Sequence, residues 1–136
     1  MKRRTARENA VLALFEYSFG ANSMEEIIAA SREAEEYAVD AYGESLLINF
    51  CAHQPEVDEK IAQNLKRGWT LARIPRVNTA ILRLAVTEMM FSGNSDMDSI
   101  VANEAVELAK KYAGDDDYQF INGILGSFAR QEVSES

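Results

Sequence analysis

The stretch PRVNTAILRLAVTEMMF, residues 75–91, decides the fold class. Apolar side chains recur in it at offsets of three and four: Val77, Ile81, Leu84, Ala85 and Met89 form one stripe, which Leu82, Val86 and Met90 widen. That is the period of an α-helix, and no alternating β-branched run competes with it. Pro75 fixes the backbone in a conformation suited to a helix start, and Gly93 is placed to stop the helix. Only Arg76, Thr79, Arg83 and Thr87 make a polar strip, so this helix is expected to lie at the centre of the protein.

The same period extends outward in both directions. Upstream, a first helix over about 4–18 turns Ala10, Val11, Leu14, Phe15 and Tyr17 inward and ends near Gly20. Ser23 followed by Glu26 has capping-box spacing, which predicts a second helix start. A third helix, about 35–52, buries Val39, Leu46, Leu47 and Phe50. Pro55 opens the next, which reaches about Leu65 and closes at Gly68. Downstream, Asp98 is a candidate N-cap for a helix over about 99–113, with Val101, Ala105, Leu108, Ala109 and Tyr112 inward and a Glu107/Lys111 pair outward. Asp116, with Gln119 three residues on, caps a last helix over about 117–130 that turns Ile121, Ile124, Leu125 and Phe128 inward. The fold class is therefore all-α, with about seven helices in one domain over residues 1–136, and 47% apolar composition supplies enough side chains for one core.

Composition narrows the function. No run approaches the roughly 18 apolar residues of a membrane span, and residues 1–20 are too polar for a secretory leader, so a cytoplasmic location without membrane contact is expected. One cysteine, Cys51, and one histidine, His53, leave no pair for a disulfide, a zinc site or a Cys/His catalytic couple. No Ser/His/Asp set or Gly-rich phosphate loop is present, so neither catalysis, a cofactor nor a metal is expected.

The net charge of −8 argues against nucleic acid on average, yet the charges are segregated. Lys2, Arg3, Arg4 and Arg7 crowd the first seven positions; Lys60, Lys66, Arg67, Arg73, Arg76 and Arg83 follow one another in a segment, residues 60–87, that holds no Asp or Glu. Acids collect over residues 25–44 and at Asp115, Asp116 and Asp117. This leaves one candidate anion-binding side, to which Lys66, Arg67, Arg73 and Arg76 would contribute. Arg3, Arg4 and Arg7 fall on one face at the start of the first helix, where positive charge opposes the helix macrodipole, so an external anion is expected there. Arginine suits RNA because its planar guanidinium grips phosphate and stacks on bases. Phe15 lies farther along that face and offers an aromatic surface. Phe120 falls at the edge of the inward stripe of the last helix, where it too can stack. Gly123 and Gly126 inside that helix imply close approach by another element or a ligand.

Four segments carry a family resemblance. Arg3-Arg4-Thr5-Ala6-Arg7-Glu8 running into Ala10-Val11-Leu12-Ala13-Leu14-Phe15 resembles the start of the NusB family. So do Trp69 with Arg73-Ile74-Pro75-Arg76-Val77 and Ala80-Ile81-Leu82-Arg83-Leu84-Ala85, the run Val101 to Tyr112 (VANEAVELAKKY), and Phe120-Ile121-Asn122-Gly123-Ile124-Leu125. The resemblance implies two packed helical subdomains, roughly 1–67 and 68–136, and a role in transcription antitermination on ribosomal RNA operons. It implies binding of boxA-type RNA together with a small-subunit ribosomal protein (NusE), the pair joining NusA, NusG and RNA polymerase. The N-terminal arginines match the family's arginine-rich motif, although its start is often longer, and Asp116, Phe120 and Asn122 match the Asp, Phe and Asn of a second functional segment. The alternative is a helical protein–protein adaptor that never touches RNA, which the acidic composition favours and the clustered arginines do not.

Overall fold

The computed structural model describes residues 1–114 and 116–135; Asp115, one of the three consecutive acids, lies outside them. The described residues form seven α-helices and no strand. They are α1 (Arg3–Tyr17), α2 (Met24–Ala34), α3 (Ala41–Ala52), α4 (Gln54–Gln63), α5 (Arg76–Phe91), α6 (Asp98–Tyr112) and α7 (Asp117–Glu135), with short 3₁₀ turns at Leu71–Arg73 and Ser95–Met97.

The helix α5 is the axis of the molecule and packs against α1, α3, α4, α6 and α7. Its burial exceeds what the apolar stripe predicts. Two members of the expected polar strip, Thr79 and Thr87, are buried, as are Asn78 and Glu88. The threonines tolerate this because their hydroxyls donate to carbonyls one turn back, Thr87 to Arg83 at 2.6 Å and Thr79 to Pro75 at 3.3 Å. Arg83 reaches out to Asp58 of α4 with two bonds of 2.9 Å.

Local signals place most helix ends. The capping box forms as its spacing predicts: Ser23 Oγ accepts from the Glu26 backbone N–H and Glu26 accepts from that of Ser23, both at 3.1 Å. Two helix starts differ, and α7 runs past its expected end near residue 130 to Glu135. The third helix starts at Ala41 rather than near residue 35, because Glu35 and Tyr37 take positive φ and Asp40 caps the new start through the Gly43 N–H at 2.8 Å. Asp98 is the first residue of α6 rather than its cap, because the Ser95–Met97 turn leads directly into the helix.

The glycine expectation also changes. A Cβ on Gly123 would meet nothing within 4 Å, and one on Gly126 would touch only the Arg130 guanidinium at 3.4 Å, so among the described residues no other element approaches either closely. The glycine demanded by packing is Gly43. A Cβ there would lie 3.2 Å from Asp40 Oδ1, 3.3 Å from Val39 Cγ1 and 3.4 Å from the Ala6 carbonyl, where α3 crosses α1.

Candidate nucleic-acid interface

The arginines at the start of α1 divide into different environments. Arg7 is 5% exposed and buried against α5, where Nε and Nη2 each donate to the Glu88 carboxylate at 2.8 Å. The Tyr42 hydroxyl of α3 donates to the same carboxylate. Hydrogen bonding to Glu88 holds the Arg7 guanidinium still more firmly protonated, while burial and the Glu88 bond push the Tyr42 phenol up. Arg4 stays on the surface but is tethered, donating to Glu104 of α6 at 2.9 and 3.2 Å. Arg3 lies with its guanidinium carbon 3.7 Å from the centre of the Tyr42 ring, and Lys2 and Arg3 are both exposed.

Arg7 was expected to present its charge to a ligand, and this is corrected. A guanidinium paired bidentately inside the core has no free edge to offer a phosphate. The unfavourable charge at the helix start is answered by anions of the chain itself, Glu88 and Glu104, brought in from α5 and α6. The adjoining contact between α1 and α6 is built the same way. Lys111 Nζ and the Tyr112 hydroxyl both donate to Glu8 at 2.5 Å, so Lys111 pairs across helices and not with Glu107 as its spacing suggested. Glu107 sits 3.6 Å from Lys110 instead.

The second basic group gathers at the other end of α1. Arg76 donates to the Ser18 carbonyl at 2.8 Å and lies over the Phe19 ring at 4.8 Å. Phe19 meets Phe15 edge-on at 5.1 Å. Phe15 is half-buried against the core and belongs with Arg76 rather than with Arg4. The fifteen residues of α1 separate the two basic groups by about 20 Å at 1.5 Å per residue. Lys66, Arg67 and Arg73 are exposed on the α4–α5 connection, where Arg73 donates to the Gly68 carbonyl at 3.2 Å and stacks 5.5 Å from the Trp69 ring centre.

Between that connection and α7 lies a cleft of about 260 Å³ lined by Lys66, Trp69, Ile74, Pro75, Asn78, Asp117 and Phe120. The rings of Trp69 and Phe120 are 6.3 Å apart and inclined at 48°. Fold therefore brings Phe120 together with Lys66 and the Arg73–Trp69 stack. Asp116 is exposed just before α7 begins. Asn122, two residues past Phe120, is rotated by about 200° around α7 and faces solvent elsewhere. Trp69 was not singled out as a site residue; its exposure of nearly half a large aromatic side chain is a signal that only the fold supplies.

Among the described residues no group of three His, Cys, Asp or Glu is placed to hold a metal ion, and no helix is long and apolar enough to cross a membrane. His53 stacks on Phe91 at 4.6 Å between ring centres.

Comparison with known proteins is consistent along the whole chain. The family model described as the NusB family matches residues 4–130. The chain is 40% identical over 127 residues to the transcription antitermination protein NusB of Bacillus velezensis, covering 93% of this chain and 95% of that one. It is 37% identical over 136 residues to its counterpart in Bacillus subtilis, covering 100% of both. Among solved structures, the chain resembles one described as a plectonemic RNA supercoil, with a TM-score of 0.88 and 29% identity over 100% of both chains. It also resembles a complex of the antitermination factors NusB and NusE with double-stranded RNA, with a TM-score of 0.82 and 27% identity over 95% of this chain and 96% of that one.

Proposed function

The chain belongs to the NusB family of transcription antitermination proteins, and on that premise we propose that it binds boxA-type single-stranded RNA in the cytoplasm together with the small-subunit ribosomal protein NusE. The complex so formed joins NusA, NusG and RNA polymerase and promotes transcription of ribosomal RNA operons. The protein works by binding, since its family is one of antitermination factors and not of enzymes. The binding unit is residues 1–136, with helical subdomains of roughly 1–67 and 68–136 joined where α5 packs on α1, α3 and α4.

The observation that carries this reading is the pair of exposed basic groups at the two ends of α1. Lys2, Arg3 and Arg4 at one end, and Lys66, Arg67, Arg73 and Arg76 with Phe15 toward the other, suit one strand drawn along the surface. From α7, Phe120 flanks the second group as the stacking surface, while Asp116 just before the helix and Asn122 on another face of it are the further RNA contacts of this scheme. Arg7 acts in this scheme from beneath, by holding α1 in place. The similarity to a NusB–NusE–RNA complex supports the choice of partners.

Two features make the ribosomal partner necessary for strong capture. The net charge of −8 repels phosphate at long range, and screening limits each short basic group to about 8–10 Å. Arg4 must also be released from Glu104 before it grips a phosphate with both edges. A basic partner extends the positive surface and holds neighbouring nucleotides of the same strand. The test is to measure affinity for a boxA-type RNA, at matched salt, for this chain alone and for the preformed heterodimer. The expected coupling is roughly 1–3 kcal/mol, and the RNA must tighten the protein–protein contact by the same factor. Equal affinities would refute the shared platform, and no RNA binding in either state would leave the adaptor reading.

A further inference from the structure

The cleft between the α4–α5 connection and α7 holds a polar group with no stated job. Asn78, at the start of α5, is 1% exposed, and its side-chain Oδ1 has no hydrogen-bond partner among the described residues. Burying an unsatisfied amide acceptor destabilises a fold, and an apolar residue of similar size would avoid that cost. The buried carboxamide therefore needs a reason. It lines the cleft together with Trp69, Phe120 and Lys66.

We propose that this cleft takes one unstacked base of the bound RNA, and that the Asn78 carboxamide reads the base edge. The inference rests on the RNA-binding reading above and adds to it a specificity-determining residue. Several observations favour a nucleotide. Trp69 and Phe120 form an inclined aromatic pair in the lining, and a base stacks on such a surface whatever its sequence. Lys66 lines the cleft and Arg73 lies over the outer ring, so cations interleave with aromatics as a phosphate-linked base requires. A carboxamide carries a donor and an acceptor side by side, which matches the paired donor and acceptor of a base edge, and rotation about the broad terminal torsion presents either atom. The volume of about 260 Å³ is just below the range of roughly 300–1,000 Å³ that holds drug-sized ligands, the scale of a single ring system. Asp117, also in the lining, repels phosphate and offers an acceptor to an exocyclic amine, whereas Lys66 attracts the backbone.

Trp69 is the single tryptophan of the sequence, so this chain's own tryptophan emission reports the cleft. The experiment titrates the full-length chain, with its ribosomal partner, against single-stranded RNA oligomers of one length that differ by one base at successive positions. Binding is read by anisotropy of the labelled RNA and in parallel by Trp69 emission. Saturable quenching at the same midpoint is expected, with one position at which changing the base weakens binding about tenfold. Asn78→Ala should erase the preference at that position and leave the others unchanged. Trp69→Ala, at an exposed site, should weaken all oligomers alike. If Asn78→Ala fails to fold, Asn78→Leu, which fills the same volume without a polar edge, carries the specificity test. RNA binding with unchanged Trp69 emission and an unchanged base preference in the Asn78 variant overturns the inference and leaves the RNA-binding function intact. Quenching by the ribosomal protein alone, with none added by RNA, also overturns it and makes the cleft a protein contact. Absence of RNA binding altogether refutes the underlying function instead.

Discussion

Replacing Arg7 by alanine should cost the protein a large part of its stability, although this residue sits in the arginine-rich start of the chain where RNA binding would be sought first. The side chains of Arg7 and Glu88 are 6% and 1% exposed, and two bonds of 2.8 Å join them. Removing one member of such a pair leaves the other as a charge stripped of both water and partner, at a cost of about 3–5 kcal/mol. In Arg7→Ala the Glu88 carboxylate keeps only the Tyr42 hydroxyl as a donor. Against a total stability of roughly 5–15 kcal/mol, that loss takes a third or more in the middle of the range. Glu88→Ala should cost a similar amount from the other side. The double replacement Arg7→Met with Glu88→Leu should cost less than either single change, because it removes both charges and refills the space, leaving only the Tyr42 hydroxyl unpaired. Urea denaturation followed by circular dichroism, with an unchanged m-value, measures all three. An Arg7→Ala variant within about 1 kcal/mol of the parent that loses RNA affinity as Arg4→Ala does would refute the argument, for then the guanidinium is a surface ligand.

Other expectations follow from single features. Leu84→Ala, at a 2% exposed site on α5 beside the Arg7–Glu88 pair, should lose about 2–5 kcal/mol in the same denaturation assay through the cavity it leaves. Gly123→Ala should gain about 0.5–1 kcal/mol, since a Cβ there meets open space; weaker binding of RNA or of the ribosomal protein by the stabilised variant would reveal close approach by that ligand. The Glu8 carboxyl is held below the usual glutamate range by hydrogen bonds from Lys111 and then Tyr112. Its contribution is therefore present above the unfolded value near pH 4.5 and lost as the pH falls below it, so Glu8→Gln should flatten the acid limb of a stability-against-pH curve. Glu104→Gln removes the carboxylate charge that tethers Arg4 and should raise RNA affinity at low salt, which filter binding at several ionic strengths measures.

What the sequence determined by itself is local. Helical period, capping boxes and helix-stopping glycines act within a few residues, so the all-α class, the seven helices, the inward stripe of α5 and the Ser23–Glu26 cap could be read from neighbours in the chain. The boundary at Ala41 was lost because Glu35 and Tyr37 take a left-handed backbone that neither residue type announces. Family resemblance added what periodicity cannot, namely the kind of partner.

Only the tertiary structure decided the fate of each charge. Arg3, Arg4 and Arg7 look alike in the sequence, yet one lies on Tyr42, one on Glu104 and one inside the core on Glu88, a residue 81 positions away. The same holds for the glycines, where Gly123 looked like the crowded position and Gly43 is. It holds for Trp69 and Asn78, whose importance appears only when α7 closes the cleft over them. The physical reason is range. Backbone propensity is settled by residues three or four positions apart, whereas the solvation and pairing of a charge, or the room beside a glycine, depend on whichever distant helix the packing brings against it.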